Sequence, residues 1–185
     1  GGLGLAHVDQ RHQQRRPLAQ SGQYREHSVV FGNDRPFFVV VDPSRAACLY
    51  ESARAGQAVK VDHGEATVMA MLECYEPSLV AWRILSHTAD AFMTVDDDDA
   101  IDAMKILANP MGPDRAIVAG ESGGVGLAGL MKISSDHDLR QMIKLDEQSR
   151  LFLINTEGAT DPDLYRQIVG AAPEDIEAKN ASLKG

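Results

Sequence analysis

Three short stretches combine residue types that do chemistry at close range. GESGGVG, residues 120–126, has glycines that let a ligand approach the backbone, and successive N–H groups at a helix start receive an anion. No Lys-Ser/Thr pair follows for a P-loop, and Glu121 places negative charge at the mouth. A cation, a hydroxyl or ordered N–H groups therefore suit this turn better than a phosphate. GGLGLA, residues 1–6, carries no side-chain charge, so its N–H groups suit a dianion; its other reading is a flexible terminus. NTEGATDP, residues 155–162, sets amide, hydroxyl and carboxylates together. Asn155 and Thr156 can each hydrogen-bond a buried heteroatom, while Thr160 or Asp161 is placed to cap a following helix.

Other reactive residues read as structural. Four adjacent carboxylates, Asp96 to Asp99, lack the spacing of a cation loop. They precede a helical pattern, where negative charge complements the helix dipole and Asp caps the first turn. The six histidines form no HExxH and no Cys/His cluster with zinc spacing, and His63 and His87 fall at element ends, so no metal site is expected. Cys74 has no basic or histidine neighbour and reads as a packed small hydrophobe rather than a nucleophile.

The elements that must position these stretches begin at Phe37. FFVVVDP is a continuous apolar run stopped by Asp42 and Pro43, the pattern of a strand buried on both faces. Residues 44–55 read as a helix closed by Gly56, AVKV at 58–61 as a short strand, and GEATVMAMLECYE at 64–76 as a helix ended by Pro77. SLVAWRILSH continues as a helix and AFMTV as a strand. In DDDDAIDAMKILAN, Ile101, Met104 and Leu107 share one helical face. A turn at GESGG enters a helix of small residues, RLFLINTEG reads as a strand, and DPDLYRQIVG as a helix. This alternation predicts an α/β fold with a mainly parallel sheet and flanking helices, with ligands beyond strand carboxyl ends. Residues 1–36 form an irregular start, 37–170 the α/β portion and 171–185 a tail.

A chain of 185 residues with 44% hydrophobic content is long enough for a sizeable core. Its net charge of -9 disfavours nucleic acid and anionic membrane as partners. Charge is uneven: five of the 18 basic and three of the 27 acidic residues lie in 1–36, leaving the remainder strongly acidic. Two cysteines are too few for a disulfide scaffold and fit a reducing compartment. No apolar run approaches the roughly 20 residues of a membrane span, and the start lacks the hydrophobic core of a signal peptide, so a cytoplasmic location is expected.

Three segments together carry a family resemblance. VVVDPSRAACLYESARAGQAVKV, NPMGPDRAIVAGESGGVGLAGL and LFLINTEGATDP resemble, in order from about residue 37 to 166, the C-terminal half of the diaminopropionate ammonia-lyases. These are pyridoxal-phosphate enzymes of the tryptophan-synthase-β type, fold type II. The resemblance implies α,β-elimination of 2,3-diaminopropionate, a small amino acid, to pyruvate and ammonia by a homodimer.

It further implies that Gly1, Gly2, Leu3, Gly4 and Leu5 are what remains of the loop holding the cofactor's phosphate. Glu121 and Ser122 would line the pocket near the ring, and Asn155 or Thr156 would face the pyridine nitrogen. Asn155 stands where the family has Ser; a neutral partner there leaves the ring nitrogen largely unprotonated and the ring a weaker electron sink.

The departures have consequences of their own. The family's Schiff-base lysine lies upstream of the phosphate loop, and none of Lys60, Lys105, Lys132, Lys144, Lys179 and Lys184 matches its motif. The catalytic residues are therefore unassigned, and the chain is expected to be an enzyme fragment inactive alone. Met71, Glu73 and Tyr75 replace small residues of a substrate-facing loop. A serine or threonine dehydratase-like member of the fold type, and a non-catalytic remnant of it, are the competing readings.

Overall fold

A computed structural model describes residues 18–20 and 35–182. Its centre is a three-stranded sheet of β1 (Leu18–Gln20), β2 (Val39–Pro43) and β3 (Ala91–Val95), in the order β1-β3-β2. The β2–β3 pair is parallel, with Val39 opposite Ala91 and Pro43 opposite Val95; β1 runs antiparallel to β3. The expected parallel arrangement is thus present in β2–β3, with an antiparallel strand on the other side of β3.

Alternating side chains on β2 and β3 feed two different cores, as a pleated strand covered on both faces requires. Val39, Val41, Ala91, Met93 and Val95 meet α3 (Asp97–Ala108) and α4 (Val125–Ser135). Val40 and Phe92 meet α1 (Cys48–Ala55) and α2 (Leu79–Thr88), where Trp82 lies 6.0 Å from Phe92, ring centre to ring centre. A third cluster joins α3 to α6 (Pro162–Val169) and α7 (Pro173–Ser182) through Met104, Tyr165 and Ile176. Residues 173–182 are thus a helix anchored by a buried Ile176.

Local chemistry sets the helix ends. Asp42, the last side chain before Pro43, turns its carboxylate onto α1 and accepts from the Tyr50 N–H at 2.9 Å. Gly56, in the left-handed region at φ 69°, closes that helix. Asp96 and Asp99 form a reciprocal capping box at α3, so the acidic run is a helix start. The α3 face that is fully buried consists of Ala100, Ala103, Met104 and Ala108, with Ile101 and Leu107 half-buried beside it. Those alanines let α4 approach closely.

Gly129 on α4 is packed so tightly on the sheet that a Cβ there would meet Val41 Cγ2 at 2.8 Å and Met93 Sδ at 3.3 Å. Between α4 and α6 lies α5 (His137–Ile143), capped by the Asp136 carboxylate, which accepts from the Asp138 and Leu139 N–H groups.

Four expectations are corrected. AVKV forms no strand: Val59 N–H goes to Ser52 Oγ at 2.9 Å and Val61 N–H to the Tyr75 carbonyl at 2.8 Å, so no ladder is left to build. Residues 64–76 hold no α-helix, but a 3-10 turn at Ala70–Leu72 and an isolated parallel bridge from Cys74 to Ala47. Side chains take over the backbone there, with Glu73 accepting from Thr67 N–H and Asp97 from Val68 N–H, a local competition that undoes helices. RLFLINTEG also forms no strand, and Leu151, Phe152, Leu153 and Ile154 are exposed. Cys74 is exposed rather than packed, its thiol donating to the Glu76 carbonyl, while Cys48 is buried.

Candidate functional site

Residues 115–119 leave α3 and run toward α4. Ile117 N–H donates to the Leu107 carbonyl at 2.7 Å, and the Asn180 side chain of α7 pairs with both backbone groups of Ala116. Ala119 is buried, and the chain then folds into the turn 120–124 that opens α4. Gly124 N–H reaches the Gly120 carbonyl at 3.1 Å, and Val125 N–H the Ser122 carbonyl at 3.4 Å.

This turn is pressed against residues 155–158. A Cβ on Gly120 would lie 2.4 Å from the Gly158 carbonyl; one on Gly123 would lie 2.3 Å from both Asn155 Oδ1 and the Glu157 carbonyl. Backbone on the far side cannot give way as a flexible side chain does, so both positions require glycine. Asn155 Nδ2 donates to the Val118 carbonyl at 3.1 Å. Gly120 N–H donates to the Glu157 carbonyl at 3.2 Å, and Ser122 N–H to Glu157 Oε1 at 3.1 Å.

The structure brings together Glu121, Ser122 and Asn155, three of the residues singled out in the sequence. Glu121 and Ser122 are buried, whereas Asn155 and its neighbour Thr156 are exposed. Burial is the main influence holding the Glu121 carboxyl above its usual range, and the charges of Glu157 and Asp161 push the same way. Ser122 Oγ is enclosed with no hydrogen-bond partner among the described residues. Asp161 caps α6, accepting from Leu164 N–H at 3.0 Å. Gly1, Gly2, Leu3, Gly4 and Leu5 lie outside the described residues.

Glu157 is the residue sequence reasoning passed over. The signal was its place two residues after Asn155, which in extended chain puts both side chains on one side.

Elsewhere, charged groups are engaged structurally. Asp97 pairs with Arg45 at 2.8 Å and Asp99 with Lys132 at 3.0 Å. His63 stacks on Tyr75 with ring centres 3.8 Å apart, and Tyr75 donates to Glu73 Oε1 at 2.6 Å. Met71, in the same loop, is 72% exposed. Among the described residues no group of His, Cys, Asp and Glu is arranged to hold a metal ion, and no helix is long and apolar enough to cross a membrane.

The family model described as pyridoxal-phosphate dependent enzyme matches residues 22–157, which include the turn 120–124 and the second turn as far as Glu157. The chain belongs to this family. Diaminopropionate ammonia-lyase of Salmonella typhimurium is 39% identical over 140 residues, covering 72% of this chain and 35% of that protein.

Crystal structures of the Escherichia coli diaminopropionate ammonia lyase are similar in fold. The complex with an aminoacrylate-PLP azomethine reaction intermediate matches with a TM-score of 0.65 and 36% identity, over 71% of this chain and 33% of that one. The complex with D-serine matches with a TM-score of 0.67 and 32% identity, over 77% and 36%. The chain thus spans about a third of the length of these relatives. As a member of the pyridoxal-phosphate family it has the fold type II architecture expected from its sequence.

Proposed function

We propose that this chain forms the cofactor-ring side of a pyridoxal-phosphate lyase that eliminates ammonia from 2,3-diaminopropionate to give pyruvate. The observation that carries the reading is the joined pair of turns, 120–124 and 155–158, enclosing an unbonded Ser122 hydroxyl. The likeness to diaminopropionate ammonia-lyases over 140 residues supports the substrate.

The residues present fit the cofactor. A buried hydroxyl without a partner costs about 1 to 3 kcal/mol, a cost removed when a ligand atom bonds to it. Ser122 Oγ is such a group, and the glycines of the turn keep side chains from separating it from residues 155–158.

Pyridoxal phosphate, when bound, supplies the electron sink that acidifies an amino acid's Cα–H and lets a β-amino group depart. Ser122 would bind the ring side through its hydroxyl, and Glu121, whose carboxyl burial holds above its usual range, would line the same buried turn. Asn155 or Thr156 would face the ring nitrogen; both are neutral and would bring it no charge. Gly1, Gly2, Leu3, Gly4 and Leu5, which lie outside the described residues, would be the phosphate-binding segment that the family resemblance implies.

The covalent lysine is inferred to come from residues beyond this chain. Lys60, Lys105 and Lys132 are paired with Glu76, Asp102 and Asp99, and Lys179 donates to Asn109. The chain alone is accordingly expected to give no turnover, and the whole protein to act as a cytoplasmic homodimer. A serine-directed activity is the second reading, favoured by the D-serine complex of the Escherichia coli relative.

Calorimetry of the chain with pyridoxal phosphate, followed by titration with 2,3-diaminopropionate or serine, tests both readings. Expected are cofactor binding that Ser122→Ala weakens, tighter binding of the diamino acid, and no pyruvate. Pyruvate release by the chain alone overturns the inference about the lysine. Absence of cofactor binding overturns the site.

A further inference from the structure

We propose that Glu157 is the positioning residue of the cofactor-facing turn. Its carboxylate, by accepting from Ser122 N–H, fixes residues 120–124 in the conformation that leaves the Ser122 hydroxyl free for the cofactor ring. This inference rests on the cofactor site described above and adds a residue to it.

Three observations carry the assignment. Glu157 grips the turn from both ends of its own structure: its side-chain Oε1 accepts from Ser122 N–H at 3.1 Å and its backbone carbonyl accepts from Gly120 N–H at 3.2 Å. The two contacts fall two residues apart on the turn, so together they set both its position and its tilt.

Second, the turn's own backbone bonds do not reach Ser122 N–H. Glycine at 120, 123 and 124 confers no side-chain packing, and within the turn itself the backbone bond from Gly124 N–H to the Gly120 carbonyl leaves Ser122 N–H to an outside acceptor. Glycine-rich backbone has a large conformational freedom to lose, so an external anchor is needed for one geometry to dominate.

Third, the anchoring carboxylate takes the Ser122 amide and leaves the hydroxyl of the same residue buried and without a partner. A shorter side chain at 157 would leave Ser122 N–H without this acceptor and loosen the backbone that aims the hydroxyl. A charged acceptor is suited to the task because hydrogen bonds to ionised groups are stronger than neutral ones.

Four proteins distinguish this role from a purely structural one: the wild-type chain, Glu157→Ala, Glu157→Gln and Ser122→Ala. Glutamine keeps an acceptor oxygen at the same reach, whereas alanine removes it. Amide hydrogen exchange over residues 120–124 reads the order of the turn, fluorescence titration with pyridoxal phosphate reads the site, and urea unfolding reads the global fold.

The expected result is faster exchange at Ser122 in Glu157→Ala, with cofactor affinity reduced roughly tenfold. Glu157→Gln recovers most of both, and Ser122→Ala loses affinity while its turn exchanges as in the wild type. Unchanged exchange in Glu157→Ala overturns the proposal. So does a loosened turn with undiminished cofactor affinity, and so does a Gln variant as impaired as Ala while remaining folded. If the wild type binds no pyridoxal phosphate, the site reading fails on that measurement alone, and the exchange comparison still decides whether Glu157 orders the turn.

Discussion

Asp42 makes the stability of the fold depend on pH in a direction opposite to that of an ion-paired carboxylate. It is buried at the end of β2, where its only described compensation is hydrogen bonding from backbone N–H groups at the start of α1. Burial outweighs those bonds and raises its pKa from 3.8 to about 6. Because the folded-state value lies above the unfolded one, the folded chain holds the proton more tightly. The favourable contribution is complete below pH 3.8 and is lost as pH rises to about 6.

A shift of about two units corresponds to roughly 3 kcal/mol at about 1.4 kcal/mol per unit. Asp42→Asn keeps an oxygen to accept from Tyr50 N–H and carries no charge at any pH. Relative to the wild type, the variant should gain stability progressively between pH 4 and pH 7, by up to ~3 kcal/mol, and gain nothing further above.

Urea unfolding followed by the fluorescence of Trp82, the single tryptophan, measures the difference at each pH. Comparing the two proteins at the same pH cancels the titration of all other groups. A stability difference that stays constant from pH 4 to pH 7.5, or an Asn variant that becomes relatively weaker as pH rises, would refute the reasoning.

Other perturbations test other parts of the fold. Gly129→Ala places a methyl 2.8 Å from Val41 Cγ2 and should cost about 1 to 3 kcal/mol in denaturant unfolding, whereas Gly124→Ala, whose nearest neighbours stand at 3.6 Å, should be tolerated. Tyr165→Phe removes a fully buried hydroxyl that has no partner among the described residues and should raise the unfolding free energy by about 1 kcal/mol, with loss of stability counting against the orphan assignment. Asp96→Ala breaks the α3 capping box and its contact with Lys132, and should destabilise by about 1 kcal/mol, read as a lower melting temperature at neutral pH.

What could be read from the sequence was what short-range pattern determines. VVVDP and AFMTV are continuous apolar runs because each face of those strands meets a different helix layer, whereas Phe37 and Phe38 precede the strand and are exposed; α2, α3, α4 and α6 announced themselves by periodicity or caps. The misread segments are those whose backbone groups bond to side chains or to distant segments rather than to a regular ladder or helix. Residues 64–76 have helical spacing, but carboxylates from Glu73 and Asp97 bond the amides at 67 and 68. RLFLINTEG has strand composition, yet its described contacts with residues 118–122 run through Asn155 and Glu157 rather than a regular ladder.

At the site the same division holds. Glu121, Ser122 and Asn155 were visible as chemistry-bearing types on glycine-rich loops. The role of Glu157 was not, because it arises from the contact between two turns 35 residues apart in the chain.

The closeness of α4 to the sheet has a consequence for how the site can vary. Gly129 lets the helix backbone sit within touching distance of Val41 and Met93, and the turn 120–124 leads directly into that helix. Gly129 is five residues past Gly124, about 7 Å along the axis. A bulkier residue there would act as a shim under a lever, lifting the helix and carrying Ser122 away from Glu157 without altering any residue of the pocket. Adjustments to the geometry of such a site can therefore be made in the core, where a search confined to the pocket wall would not find them.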